Sequence, residues 1–164
     1  MIILGIDPGL ATMGYGVIQV EGEARRVVQF GTLTTKAGSP TPQRLRAIFQ
    51  GVNQLLDIYA PHDVAFEELF FSKNVTTGIA VAQARGAALA AVAARTENVY
   101  EYTPMQIKQA ITGYGGADKR QIQLMVKALL NMKEIARPDD AADALAVALT
   151  HANSMKMKKL FKIQ

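Results

Sequence analysis

Asp7 closes the apolar run Met1 to Ile6, in which only Gly5 interrupts the large aliphatic side chains. Such a run reads as a strand in a sheet interior, where a carboxylate is costly unless it is paired or metal-bound. A turn would also account for it, since Asp7-Pro8-Gly9 favours chain reversal. A second acid occupies a similar position: after Pro61, the run Asp63-Val64-Ala65-Phe66 leads into Glu67 and Glu68. Strand alternation sends these two glutamates to opposite faces, so spacing alone leaves open which of them works. The third acidic stretch is Arg137-Pro138-Asp139-Asp140-Ala141-Ala142-Asp143, at the start of a helix. Proline and acids are ordinary there, because the unpaired N–H groups favour negative charge. That explains Asp139 better than Asp143, and Asp140 and Asp143, at i, i+3, share one side of the helix. Leu145 and Leu149 mark the opposite, core-facing stripe. Three acidic elements are therefore available to converge, and converged carboxylates repel unless a cation sits between them. An oxygen-only set suits Mg²⁺, and a chain without cysteine cannot offer thiolate zinc ligands.

These acids need elements to hold them. Apolar patterning predicts strands over Met1 to Asp7, Met13 to Val20 and Arg26 to Thr34, then a helix from Pro40 to Tyr59. A strand from Asp63 to Glu67 and a long helix from Val75 to Arg95 follow. After them come a short strand from Val99 to Tyr102 and helices over Pro104 to Ile111, Lys119 to Leu130 and Pro138 to Ala152. Three hairpin-linked strands followed by alternating helices and strands imply an α/β fold, a mixed five-stranded sheet with helices on both faces.

The motifs Gly5-Ile6-Asp7-Pro8-Gly9, Lys73-Asn74, Gln83-Ala84-Arg85-Gly86, Gln106-Ile107-Lys108-Gln109 and Asp140-Ala141-Ala142-Asp143-Ala144-Leu145-Ala146 span nearly the whole chain. In this order they resemble the RuvC family, the bacterial Holliday junction resolvases of the ribonuclease H-like superfamily. The resemblance implies that Asp7, Glu67, Asp140 and Asp143 form a catalytic, metal-binding quartet, which separates Glu67 from Glu68 and Asp140 from Asp139. It implies DNA contacts from Phe70, Lys73, Lys108 and Lys119, with Phe70 stacking on an unpaired base. It further implies paired nicks in a four-way junction during recombination and repair, products with ligatable 5′ phosphates, a homodimer, and RuvA and RuvB branch-migration proteins as partners. The expected chemistry uses two Mg²⁺ ions about 3.5–4 Å apart, with Mn²⁺ as the alternative.

Composition fits this class. The 164 residues are enough for one domain with a substantial core, and 18 Lys and Arg against 14 Asp and Glu give a net charge of +4. If the acids gather in one cleft, the remaining surface is more basic than that total, which suits a polyanionic partner. No disulfide framework, apolar leader or membrane span is legible, and the expected location is the cytoplasm. Gly78, Ala82, Gly86 and Ala90 form a row of small residues along the long helix, allowing close approach by another helix of the same subunit or of a partner. The nuclease domain is expected over residues 1–155. The basic tail 156–164 is expected to fray or to touch DNA weakly. Two other readings are a junction-binding module without activity and an actin-like or sugar-kinase ATPase. The latter needs two such domains around its nucleotide.

Overall fold

The computed structural model describes residues 1–69 and 75–164. Five strands run β1 (Ile2–Asp7), β2 (Thr12–Glu21), β3 (Ala24–Thr34), β4 (Asp63–Glu67) and β5 (Val99–Tyr102). The helices are α1 (Thr41–Tyr59), α2 (Val75–Ala93), α3 (Pro104–Thr112), α4 (Lys119–Leu129) and α5 (Asp139–Asn153). The sheet order is β3-β2-β1-β4-β5. The first three strands form an antiparallel meander, while β4 and β5 run parallel to β1. This is the mixed α/β arrangement that the patterning predicts, with boundaries shifted by at most two residues.

Strand alternation divides the interior in two. Leu4, Ile6, Met13, Val17, Val64 and Phe66 point to the face covered by α1 and α2, where they meet Ile48, Val52, Ala84 and Ala88. Ile3, Ile18 and Ala65 point the other way, into a cluster with Ile107, Val126 and the length of α5. By the same period of two, Asp7 shares its face with Ile3, and Glu67 shares its face with Ala65. Both acids therefore lie on the α5 side.

That face is floored by glycine. A Cβ on Gly5 would lie 2.2 Å from the Ala144 carbonyl oxygen, one on Gly14 would lie 1.9 Å from that of Asp140, and one on Gly16 would lie 2.8 Å from the Leu145 nitrogen. No side chain fits in that space, so α5 rests almost directly on the backbones of β1 and β2. The sequence stripe of Leu145 and Leu149 understates the result. Ala141, Ala142 and every residue from Ala144 to Ala152 are buried, because the sheet, α3 and α4 enclose α5 around its girth.

The expectation that the basic tail frays needs correction. Residues Met155–Phe161 form a 3₁₀ helix, the Ile163 N–H donates to the Val99 carbonyl at 3.0 Å, and Lys162 bridges to Tyr100 at the edge of β5. Phe161 stacks on Tyr102 with ring centroids 4.7 Å apart. Lys158 donates to Asp63 Oδ2 at 2.9 Å, and buried His151 meets the same oxygen through Nε2 at 2.9 Å. The His151 Nδ1 lies 2.8 Å from the Tyr102 hydroxyl. Burial alone would raise the Asp63 pKa, but the bonds from His151 and Lys158 outweigh it and hold the carboxyl below its ordinary value. Thus the lysine-rich composition that suggests a solvated tail instead neutralises one buried acid, while Met157 and Leu160 remain exposed.

The glycine floor is tested by paired substitutions. Gly14→Ala must displace the α5 backbone and is expected to lower unfolding free energy by about 1–3 kcal/mol in denaturant titration. Gly86→Ala, whose new methyl meets nothing within 4 Å, should instead stabilise by about 1 kcal/mol through helix propensity. Equal effects at both sites would contradict the packing described.

Candidate active site

Three elements deliver the acids to one end of the sheet. Asp7 ends β1 opposite Gly14 of β2, and Glu67 ends the neighbouring parallel strand. Adjacent strands lie about 5 Å apart, so the two carboxylates start close together. Above Gly14 lies the Asp140 backbone, because the missing Cβ lets the first turn of α5 descend. Asp143, one turn further along, comes over Glu67. All four acids are half-buried.

The electrostatics reflect this crowding. Asp7 is pushed up to about 8, first by burial and then by the charges of Glu67, Asp143 and Asp140. Glu67 is raised mainly by burial, with Asp143 adding to it, and it shares a side-chain hydrogen bond with Asp7. Burial also raises Asp143, although Lys119 pulls the other way. Lys119 Nζ donates to Asp143 Oδ2 at 3.0 Å and stands 3.4 Å from Asp139 Oδ2. Among the described residues, no three carboxylates or imidazoles form a ready metal cage. A shared proton and one lysine hold the acids in this arrangement, which opposes the full ionisation that divalent-ion ligation requires.

The ambiguities left by spacing now have a geometric answer. Glu67 faces α5, whereas Glu68 is exposed and its backbone N–H donates to the Tyr102 carbonyl at 2.9 Å. Asp139 turns toward α4, accepting from Gln123 at 3.1 Å and pairing with Arg137 and Lys119. Saturated in this way, it has little capacity to serve a ligand. Asp140 instead lines a groove with the β1–β2 loop.

Lys108 and Lys119 line a second groove of about 200 Å³ with Glu67 and Asp143. The structure thus gathers six of the residues singled out from sequence, four acids and two lysines. Phe70 and Lys73 lie outside the described residues. The small-residue row sits elsewhere: Gly86 and Ala90 are exposed and Gly78 and Ala82 half-buried, while Ala84, Ala88, Ala91 and Val92 form the core side of α2. Gly86 and Ala90 of that row therefore face away from the subunit's own core. Sequence reasoning missed the positioning role of Gly5, Gly14 and Gly16. Glycines at alternate positions inside apolar strands were the available signal, since they mark close backbone approach.

A family model described as crossover junction endodeoxyribonuclease RuvC matches residues 3–151. A protein of that name from Rubrobacter xylanophilus is 58% identical over 156 residues, covering 95% of this chain and 87% of the relative. Another from Brevibacillus brevis is 55% identical over 152 residues, covering 93% and 92%. The solved structure of Thermus thermophilus RuvC in complex with Holliday junction substrate matches with a TM-score of 0.90 at 39% identity, covering 96% of each chain.

The crowded carboxylates carry a signed pH dependence. Asp7 titrates near 3.8 when unfolded and near 8 when folded. Between those values the folded chain holds a proton that the unfolded chain releases, so this group's contribution to stability falls as pH rises. In EDTA, the difference in melting temperature between wild type and Asp7→Asn should shift in favour of the variant as pH increases across that interval. Added Mg²⁺ should stabilise the wild type more at the alkaline end, because it binds the deprotonated set. A difference that stays flat with pH would contradict the raised Asp7 pKa that burial and crowding impose.

Proposed function

The chain belongs to the RuvC family of crossover junction endodeoxyribonucleases, and from that premise we propose that it resolves four-way DNA junctions by paired, metal-dependent nicks. The observation that carries this reading is the convergence of Asp7, Glu67, Asp140 and Asp143 where two strand ends meet a helix start. The metal fits the donor set on physical grounds. These are hard oxygen ligands, and burial, reinforced by their mutual repulsion, pushes Asp7 up to about 8, so a divalent cation would relieve a cost the fold already carries. Mg²⁺, with Mn²⁺ able to substitute, would be held by these four side chains. When bound, such ions polarise the scissile phosphate and lower the pKa of an attacking water.

The chain's own groups do the rest. Lys119, held at the rim by Asp143 and Asp139, brings positive charge to the groove where a phosphodiester would lie, and Lys108 lines the same wall. Burial on the α5 side keeps the carboxylates in a low-dielectric setting in which each charge acts more strongly than in water. Phe70 and Lys73 keep the base-stacking and phosphate roles that the family resemblance implies. A homodimer pairing α2 helices along the Gly78, Ala82, Gly86 and Ala90 row would present two sites to opposed strands, as symmetric cutting requires. Cooperation with RuvA and RuvB and a cytoplasmic location belong to the same proposal, and no described helix is long and apolar enough to cross a membrane.

Cleavage of a synthetic four-way junction and of a linear duplex, with and without Mg²⁺, tests this reading. Asp7→Asn keeps the shape but removes a charge, so junction cleavage should fall by more than about a hundredfold while binding is retained or strengthened. Wild-type binding without nicking would instead indicate a binding module, and near-normal nicking by the variant would remove Asp7 from the site. Separately, Gly86→Leu should hold partner helices apart and weaken dimerisation in sedimentation at micromolar concentration. An unchanged dimer would move the interface elsewhere.

A further inference from the structure

On the flank of the carboxylates away from Lys108 and Lys119 lies a groove of about 550 Å³, running between the β1–β2 loop, the first turn of α1 and the start of α2. Its wall carries Asp140, the hydroxyl-bearing residues Thr12 and Thr76, the loop residues Gly9 to Ala11, the apolar Ala80 and Val81, and Arg44. Arg44 occupies the first turn of a helix, where the macrodipole disfavours a cation and where α1 has no acid. It is nevertheless held in place. Its Nε donates to Thr35 Oγ1 at 2.8 Å, and that hydroxyl donates to the Leu10 carbonyl at 2.6 Å. The Thr35 N–H also donates to the Ala11 carbonyl at 3.0 Å.

One of the five guanidinium N–H donors is therefore spent on fixing the side chain, while the terminal nitrogens make no hydrogen bond to a described residue. Among the described residues no carboxylate forms an ion pair with Arg44; Arg26, Arg46 and Arg120 are likewise unpaired, but none of them lines this groove. A half-buried guanidinium anchored at Nε, with its fork left over in a groove that Thr12 and Thr76 also line, is arranged to receive an oxyanion. A nuclease must grip its strand on both sides of the cut. Lys108 and Lys119 serve one side, and Arg44 is the only cation lining the other groove among the described residues.

We infer that Arg44, with Thr12 and Thr76, forms a second phosphate subsite, which holds the DNA backbone on the Asp140 flank of the bond to be cut. This rests on the nuclease reading and adds a strand path to it. A phosphate in this groove would accept from the guanidinium fork and the two hydroxyls, fixing the strand's register over the acids. Arg44 would thus act in binding and positioning, and its removal should affect substrate affinity before turnover.

The test measures affinity for a synthetic four-way junction over a range of salt concentrations, with every variant made in the uncleaving Asp7→Asn background. Arg44→Gln is expected to weaken binding by roughly tenfold or more, the loss of a charge-assisted bond, and to reduce the slope of log affinity against log salt by about 0.7–0.9, one phosphate contact. Arg44→Lys, which keeps the charge, should recover the slope. Thr35→Val, which cuts only the anchor to the Leu10 loop, should leave the slope unchanged. Thermal melting accompanies each variant, and if Arg44→Gln melts early the Arg44→Lys slope decides. Unchanged affinity and slope in Arg44→Gln overturn the subsite, as does weakened binding that Arg44→Lys leaves unrestored at an unchanged slope, because the residue then acts only through its loop anchor. Failure of the Asp7→Asn parent itself to bind the junction would count against the nuclease reading instead. With an active Asp7, KM should rise more than kcat falls.

Discussion

The close seating of α5 on the backbones of β1 and β2 is the constraint on which the rest of the molecule depends. Gly5, Gly14 and Gly16 remove the side-chain layer that normally separates a helix from a sheet, and the helix answers with alanines at Ala141, Ala144 and Ala148. Close packing of this kind is intolerant of added volume. It also fixes the direction in which the helix begins, so that Asp140 and Asp143 project over the strand ends carrying Asp7 and Glu67. The proposed site is therefore a by-product of how the core closes.

Bringing four acids together this way opposes stability. Asp7 and Glu67 share a hydrogen bond, Asp143 is neutralised by Lys119, and Asp139 absorbs Arg137 and Gln123. Each of these compensates for charge that a solvated surface would not have to manage. The opposite end of β4 deals with a buried acid differently: Asp63 is satisfied by His151 and Lys158, which also fastens the C-terminal segment against β5. One cluster is closed by its own partners, and the other leaves Asp140 and Asp143 facing grooves. That contrast distinguishes a structural acid from one available to a ligand.

Much of this was legible in the chain itself. Period-two alternation placed Glu67 and Glu68 on opposite faces, and helical spacing put Asp140 with Asp143. Apolar runs located β1 and β4, because a mixed sheet covered on both faces needs almost uninterrupted hydrophobic central strands. The choice between the neighbouring acids was not legible from spacing, since it depends on which face α5 covers and on what Asp139 meets in α4. The tail was misjudged for a similar reason. Lys158 reads as a solvated charge until Asp63, ninety-five positions away, is found beside it. Local pattern encodes a residue's face, but a long-range partner leaves no local signature. The outward orientation of Gly86 and the anchoring of Arg44 by Thr35 belong to the same category.

The central claim is that the fold buries these carboxylates together, so that they do not remain fully ionised without a cation. Isothermal titration of the wild-type chain with Mg²⁺ at pH 7, in buffers of differing ionisation enthalpy, measures it directly by counting the protons released on binding. The account predicts close to one proton per chain, lost when Asp7 is replaced by asparagine. Mg²⁺ binding with no proton release, or with the same release in both proteins, would contradict it.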